Sequence, residues 1–187
     1  MALSKIDVAN MLTGSTPVAN GGTGLTSGTS GQFLKFTGST TLASAADNAG
    51  KLLQAVSATI NNATECTTSQ SFVASSLQLN ITPSATSSKI LVFLNGGQAY
   101  IQTNRAMHVT LYRDSTNLGD STRGMARFSI AASGSLLSPH SNHFLDSPNS
   151  TSQLNYRVYY ESDGGDEIYF STGSAGTMSL TALEIGA

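Results

Sequence analysis

From about residue 50 onward this chain repeats one pattern, in which apolar and polar residues alternate over short stretches. Leu77, Leu79 and Ile81 alternate with Gln78 and Asn80. Met107, Val109 and Leu111 alternate with His108, Thr110 and Tyr112. Leu154, Tyr156, Val158 and Tyr160 alternate with Asn155, Arg157 and Tyr159, and Met178, Leu180 and Ala182 alternate near the end. Successive side chains on a strand point to opposite faces, so a period of two marks a half-buried strand. Further strands are expected over 52–60, 90–94, 124–130, 142–146 and 168–171. Gly96-Gly97 suggests a bulge or tight bend, and the stretch after Tyr112 has hairpin-turn chemistry. No segment here has a helical period. About nine short strands separated by turn signals indicate an all-β sandwich or barrel, and a two-sheet jelly roll fits the count best.

The pattern breaks below residue 50. Residues 13–31 read TGSTPVANGGTGLTSGTSG, with neither a helical nor a strand period. Such a stretch buries too little apolar area to offset its ordering entropy. Apolar anchors flank it: Leu3, Ile6 and Val8 on one side, Phe33 and Phe36 on the other. A bare linker would not carry them. The chain therefore reads as an attachment arm or linker over 1–49, followed by a β-sandwich distal domain over 50–187. Pro17, Val18, Gly21, Gly22 and Gly24 join the five apolar anchors as candidate attachment residues.

Charge narrows the function classes. Of 187 residues only 11% are charged, with a formal net charge of −2, against roughly 25% charged in an average globular protein. Nine Lys and Arg provide no basic patch for phosphates, so no nucleic-acid partner is expected. No apolar run nears the ~20 residues that span a bilayer, and the first ten residues do not read as a secretory signal. A neutral Ser/Thr sheet face guards poorly against edge-to-edge association. Much of this surface is therefore expected to be covered, most simply in an oligomer.

Motifs with chemistry are few. The Gly-rich stretch lacks the third glycine of a dinucleotide loop, and no nucleophile elbow is present. Cys66 has no partner for a disulfide and reads as a small buried hydrophobe. His108 reads as a solvent-side or interface residue. His140 and His143 read as surface-loop histidines, and their spacing offers a weak metal alternative with help from Asp146. The run from Glu161 to Glu167 reads as a solvated hairpin tip. Asp163 and Asp166 within it are weak calcium candidates. Tyr156, Tyr159, Tyr160 and Tyr169 concentrate aromatic surface on two strand phases, one for the core and one for an interface or recognition surface. No cofactor and no catalytic residue is expected.

The words PVANGGTG (17–24) and GQFLKF (31–36) resemble a segment common in tailed-bacteriophage fibre and virion-appendage proteins. The words GKLLQ (50–54), ITPSATSSKILV (81–92), LYRDS (111–115) and LEIG (183–186) are also similar to small phage appendage proteins. The resemblance implies a trimer with a jelly-roll head similar to the tumour-necrosis-factor type, and it carries no catalytic motif. The implied function is a non-enzymatic virion structural protein. It would be a homotrimeric capsid-decorating or head-fibre appendage on the virion surface, bound to other virion proteins by its arm. The alternative is a short tail fibre or receptor-binding protein recognising a host-surface glycan or protein.

Overall fold

A computed structural model describes residue 25 and residues 27–39, 41–45, 50–102, 104–131, 133–174 and 176–186. The chain divides into two units, Met1–Asn48 and Ala49–Ala187. In the first unit, β1 (Phe33–Phe36) pairs antiparallel with β2 (Leu42–Ala45). The expected strand at 33–36 is thus present. Phe33 and Phe36 are 60% and 69% exposed. The other attachment candidates (Leu3, Ile6, Val8, Pro17, Val18, Gly21, Gly22 and Gly24) lie outside the described residues.

The second unit is an all-β, jelly-roll-like sandwich of two sheets. Its strands are β3 (Leu52–Asn61), β4 (Glu65–Thr67), β5 (Val73–Ile81), β6 (Lys89–Gln102), β7 (Arg105–Arg113), β8 (Thr116–Asn117), β9 (Ala126–Ile130), β10 (Ser135–Asp146), β11 (Leu154–Asp163), β12 (Ile168–Ser171) and β13 (Thr177–Ile185). One sheet has six strands in the order β3-β13-β6-β12-β4, with β10 on the other edge of β6. The other has five strands in the order β5-β11-β7-β8, with β9 also pairing β7. The alternating apolar residues meet between the sheets. Leu77, Ile90, Ile101, Met107, Tyr156, Ile168, Phe170 and Leu180 are all within 1% of complete burial.

Several expectations shift in detail. Strand β6 does not stop at Leu94 but runs 14 residues through Gly96 and Gly97. Both glycines have positive φ, and the register with β10 slips between Ser138 and His140. Pro139, which has no N–H to donate, sits at that slip. A Cβ on Gly96 would run into the Thr177 carbonyl oxygen. The bend lets the first half of β6 pair with β13 and its second half reach β12. Strand β10 is also longer than its apolar centre suggested, because its outward residues include Pro139 and His143. Strands β4 and β8 are too short to show a period. The run from Glu161 to Glu167 is not a hairpin tip: β11 belongs to the five-stranded sheet and β12 to the six-stranded one, so the loop crosses between sheets.

Candidate functional site

The two outer sheet faces differ sharply in chemistry. On the six-stranded sheet, cross-strand register lines up four residues at a time. Leu145, Leu91, Leu183 and Ala55 form one row. His143, Phe93, Thr181 and Ser57 form the next, followed by Ser141, Asn95, Ser179 and Thr59. Beyond the bend, Leu137, Tyr100, Tyr169 and Cys66 make a fourth row. Among the described residues these four rows contain no Asp, Glu, Lys or Arg. Lys89 and Glu167 mark the rims. Leu137 and Leu145 are about half exposed, and the Tyr100 and Tyr169 rings meet edge to face at 5.6 Å.

Outward-facing charge gathers on the five-stranded sheet. All five arginines (Arg105, Arg113, Arg123, Arg127 and Arg157) lie on β7, β9, β11 or the loop before β9. Arg127, His108 and Glu161 are directly cross-strand on its outer face. The loop 118–125 lies over this face, bridged on itself between Asp120 and Gly124. It fits because Gly119 and Gly124 have no Cβ; one at either position would press on Thr110. Asp120 Oδ1 accepts from the backbone N–H groups of Thr122 and Arg123, and these bonds hold its carboxyl below the usual range. This cover corrects the reading of His108. It occupies the outward phase, yet it is 3% exposed. Its Nδ1 donates to Glu161 Oε1 at 3.0 Å, and its Nε2 lies 3.9 Å from Asp163 Oδ2 without a hydrogen-bond partner.

The four tyrosines do not form one patch. Tyr156 and Tyr160 are core residues. Burial raises the Tyr160 hydroxyl to about 12. Burial, reinforced by the adjacent Asp146 carboxylate, raises Tyr156 further. Tyr159 lies on the outer face of the five-stranded sheet, stacked on Tyr112 at 4.0 Å, with Phe72 edge-on to Tyr112. Tyr169 lies on the opposite sheet, donating to Glu167 Oε2 at 2.7 Å.

The metal candidates are likewise dispersed. His140 and His143 are on strand β10 and not in a surface loop. They are three residues apart, so they face opposite sides of the sheet. His140 is buried and donates Nε2–H to the Phe170 carbonyl at 2.8 Å. Burial lowers its pKa, and that hydrogen bond opposes the shift. His143 is exposed beside Phe93. Asp146 serves neither histidine. It accepts two bonds from Arg113 Nη1 at 2.8 Å and one from Tyr156 Oη at 2.6 Å, tying β10 of one sheet to β7 and β11 of the other. Asp163 approaches Arg127 at 3.5 Å, and Asp166 approaches Arg105 at 3.5 Å. Among the described residues no three His, Cys, Asp or Glu side chains converge in a way that could hold a metal ion. Cys66 is exposed, contrary to the buried reading, because β4 is an edge strand with its middle residue turned outward.

Sequence reasoning missed Gln70, Phe72, Thr122 and Glu161 as neighbours of His108. The Arg127–His108–Glu161 row depends on the pairing of three strands far apart in the chain. Only the chemistry of Glu161 stood out beforehand.

No protein-family model matches the chain, and no curated protein matches it. Among solved structures the chain is similar to one of the infectious bursal disease virus Gt strain, at 16% identity and a TM-score of 0.36, covering 80% of this chain and 41% of that one. It is also similar to the VP2 subviral particle of infectious bursal disease virus, at 14% identity and a TM-score of 0.32, covering 81% of this chain and 41% of that one. The chain thus spans about two fifths of the length of these chains. At these scores the likeness carries no argument about function.

Proposed function

We propose that this protein is a non-enzymatic structural component of a bacteriophage virion, a homotrimeric head-fibre or capsid-decorating appendage held to the particle by residues 1–49. The observation that carries the assembly is the charge-free outer face of the six-stranded sheet. Exposed apolar patches of this kind on a monomer mark an association surface. The edge strands β3 and β10 of this sheet carry no outward charge, the usual guard of an edge against pairing with other copies. Three copies turning this face toward a common axis bury Leu91, Phe93, Leu137 and Leu145 and leave the arginine-bearing sheet outermost. The virion setting is supported by the resemblance of the words at 17–24 and 31–36 to phage appendage segments.

Light scattering on the purified full chain tests the assembly. The expected mass is three times 19.3 kDa, and a stable monomer at about micromolar concentration refutes it. Thiol labelling gives a second reading, because Cys66 lies in the fourth row of the proposed interface. It should react slowly in the trimer and quickly once the trimer is dissociated. Incorporation tests the virion role. Deleting residues 1–49 should abolish it while the sandwich still folds, and normal incorporation of the truncated chain rules out the arm. Gold labelling of the C-terminus on particles distinguishes head from tail.

A further inference from the structure

Strand edges left unpaired by the sandwich are guarded in all but two places. In the five-stranded sheet, β9 carries outward Arg127 and β8 is two residues long. β5 bulges over residues 75–77, where Glu65 Oε1 accepts the Ser76 N–H at 2.8 Å and the Ser75 carbonyl accepts from Arg157 Nε at 2.6 Å. In the six-stranded sheet, β4 has only three residues. Short length, charge, bulges and side-chain bonds all blunt an edge. Residues 55–61 of β3 and residues 140–146 of β10, beyond its register slip, have none of these guards. Among the described residues no strand pairs with the far edge of either. Neither stretch contains proline, and its one charged residue, Asp146, turns inward to Arg113. The core-facing side chains here, Val56, Ala58 and Ile60 on β3 and Phe144 on β10, are only partly buried. An apolar hollow lined by Val109, Leu111, Met125 and Phe144 opens beside β10.

From these two edges we infer that residues 55–61 of β3 in one copy pair antiparallel with residues 140–146 of β10 in the next, so that three charge-free sheets join into one closed sheet around the trimer axis. The inference rests on the proposed trimer and names the contact that closes it.

Strand direction supports the pairing. β3, β13, β6 and β10 are successive antiparallel neighbours, so β3 and β10 run in opposite senses. Rotation about an axis along the strands leaves those senses unchanged. With the charge-free faces turned to that axis, the β10 edge of each copy meets the β3 edge of the next, already antiparallel. The free N–H and C=O groups of both edges then become each other's partners. The outward rows continue across the joint, which sets Ser57 within one diagonal step of His143 in the next copy. On the core side of the sheet, Phe144 packs against Val56, Ala58 and Ile60 of the next copy and closes the hollow beside β10. A second copy fits this edge because its β3 is uncharged, correctly directed and lined with apolar side chains that its own core leaves half covered.

Hydrogen–deuterium exchange read by mass spectrometry on the full chain, with light scattering on the same samples, tests the joint. About half the N–H groups of an edge strand point away from its own sheet. In the trimer those of 55–61 and 140–146 should exchange at least about tenfold more slowly than the corresponding N–H groups of β9, which stay in water. A charge pair across the joint gives a second reading. Ser57 and His143 are exposed, so Ser57→Lys and His143→Glu leave the single sandwich folded. Each alone should weaken the trimer. The double variant should associate at least about tenfold more tightly than either, because the new ammonium of one copy faces the new carboxylate of the next. Within one copy the two positions lie three strand spacings apart, about 14 Å, too far to pair. A trimer whose 55–61 and 140–146 amides exchange as fast as those of β9 refutes the joint and leaves the face-to-face assembly standing. A double variant no tighter than the single ones does the same. A monomer refutes both proposals. Protection in a species that keeps growing with concentration refutes the closed sheet, because a β3–β10 contact that misses closure runs on as a filament.

Discussion

Glu184 gives the sharpest test of how this sandwich is held together. Its side chain is fully buried near the end of β13, directly opposite Gln54 on β3. Its carboxylate accepts from Gln54 Nε2 at 2.5 Å, from the Ser84 backbone N–H at 2.7 Å and from Ser84 Oγ at 2.6 Å. Burial by itself would raise the pKa. The Ser84 and Gln54 hydrogen bonds to the charged form outweigh it and bring the value from 4.5 down to about 2. A carboxyl lowered by that much on folding contributes about 3 kcal/mol at neutral pH. The folded pKa lies below the unfolded one. The contribution is therefore complete above about pH 4.5 and is lost as pH falls toward about 2. In Glu184→Gln one oxygen still accepts from Ser84, but the new amide N–H₂ faces the N–H₂ of Gln54 and the charged acceptor is gone. Urea unfolding followed by tyrosine fluorescence, at fixed protein concentration, should place the variant about 3 kcal/mol below wild type at neutral pH. At about pH 2 the gap should shrink to within about 1 kcal/mol, because wild type has then also lost the charge. A gap that stays constant across this range refutes the assignment to a hydrogen-bonded carboxylate.

Three further outcomes follow from the same structure. Phe93→Lys, in the second row of the charge-free face, should convert the trimer to monomers in light scattering. An unpaired charge buried in an interface costs several kcal/mol per copy, while the isolated sandwich leaves the lysine in water and keeps its far-UV CD spectrum. Gly96→Ala should destabilise the fold by about 2–4 kcal/mol in urea, since it combines φ of 82° with a collision against the Thr177 carbonyl. Asp146→Asn should cost about 3–5 kcal/mol by leaving the partly buried Arg113 charge unpaired between the sheets, and removing that charge as well with Arg113→Met should recover part of the loss.

Legibility in the sequence followed the reach of each interaction. Alternation is local, so the inward phase of β5, β7, β11 and β13 was readable from Leu77, Met107, Val158 and Leu180 without any structure. The bend at Gly96-Gly97 was readable for the same reason, because positive φ is a property of a dipeptide. His108 was not. Its outward phase implied exposure, and only the loop 118–125, laid down by two glycines more than ten residues away, buries it. The separation of His140 from His143 follows from strand geometry once β10 is known to run the full twelve residues from Ser135 to Asp146. Its polar outward residues concealed that length.

The sequence by itself determined that the second unit is all-β and which side chains of its main strands face inward, because period two is written residue by residue. It also determined how little charge the chain carries. Where that charge goes was decided only by the tertiary structure. Strand pairing between residues as distant as Glu65 and Ser171, or Lys89 and Ile185, leaves the outer rows of one sheet without charge and puts every arginine onto the strands and loop of the other. Register and sheet membership are long-range properties, set by which strands pack together. A composition cannot show a chain with one neutral face and one polar face, though it supplies the residues for both.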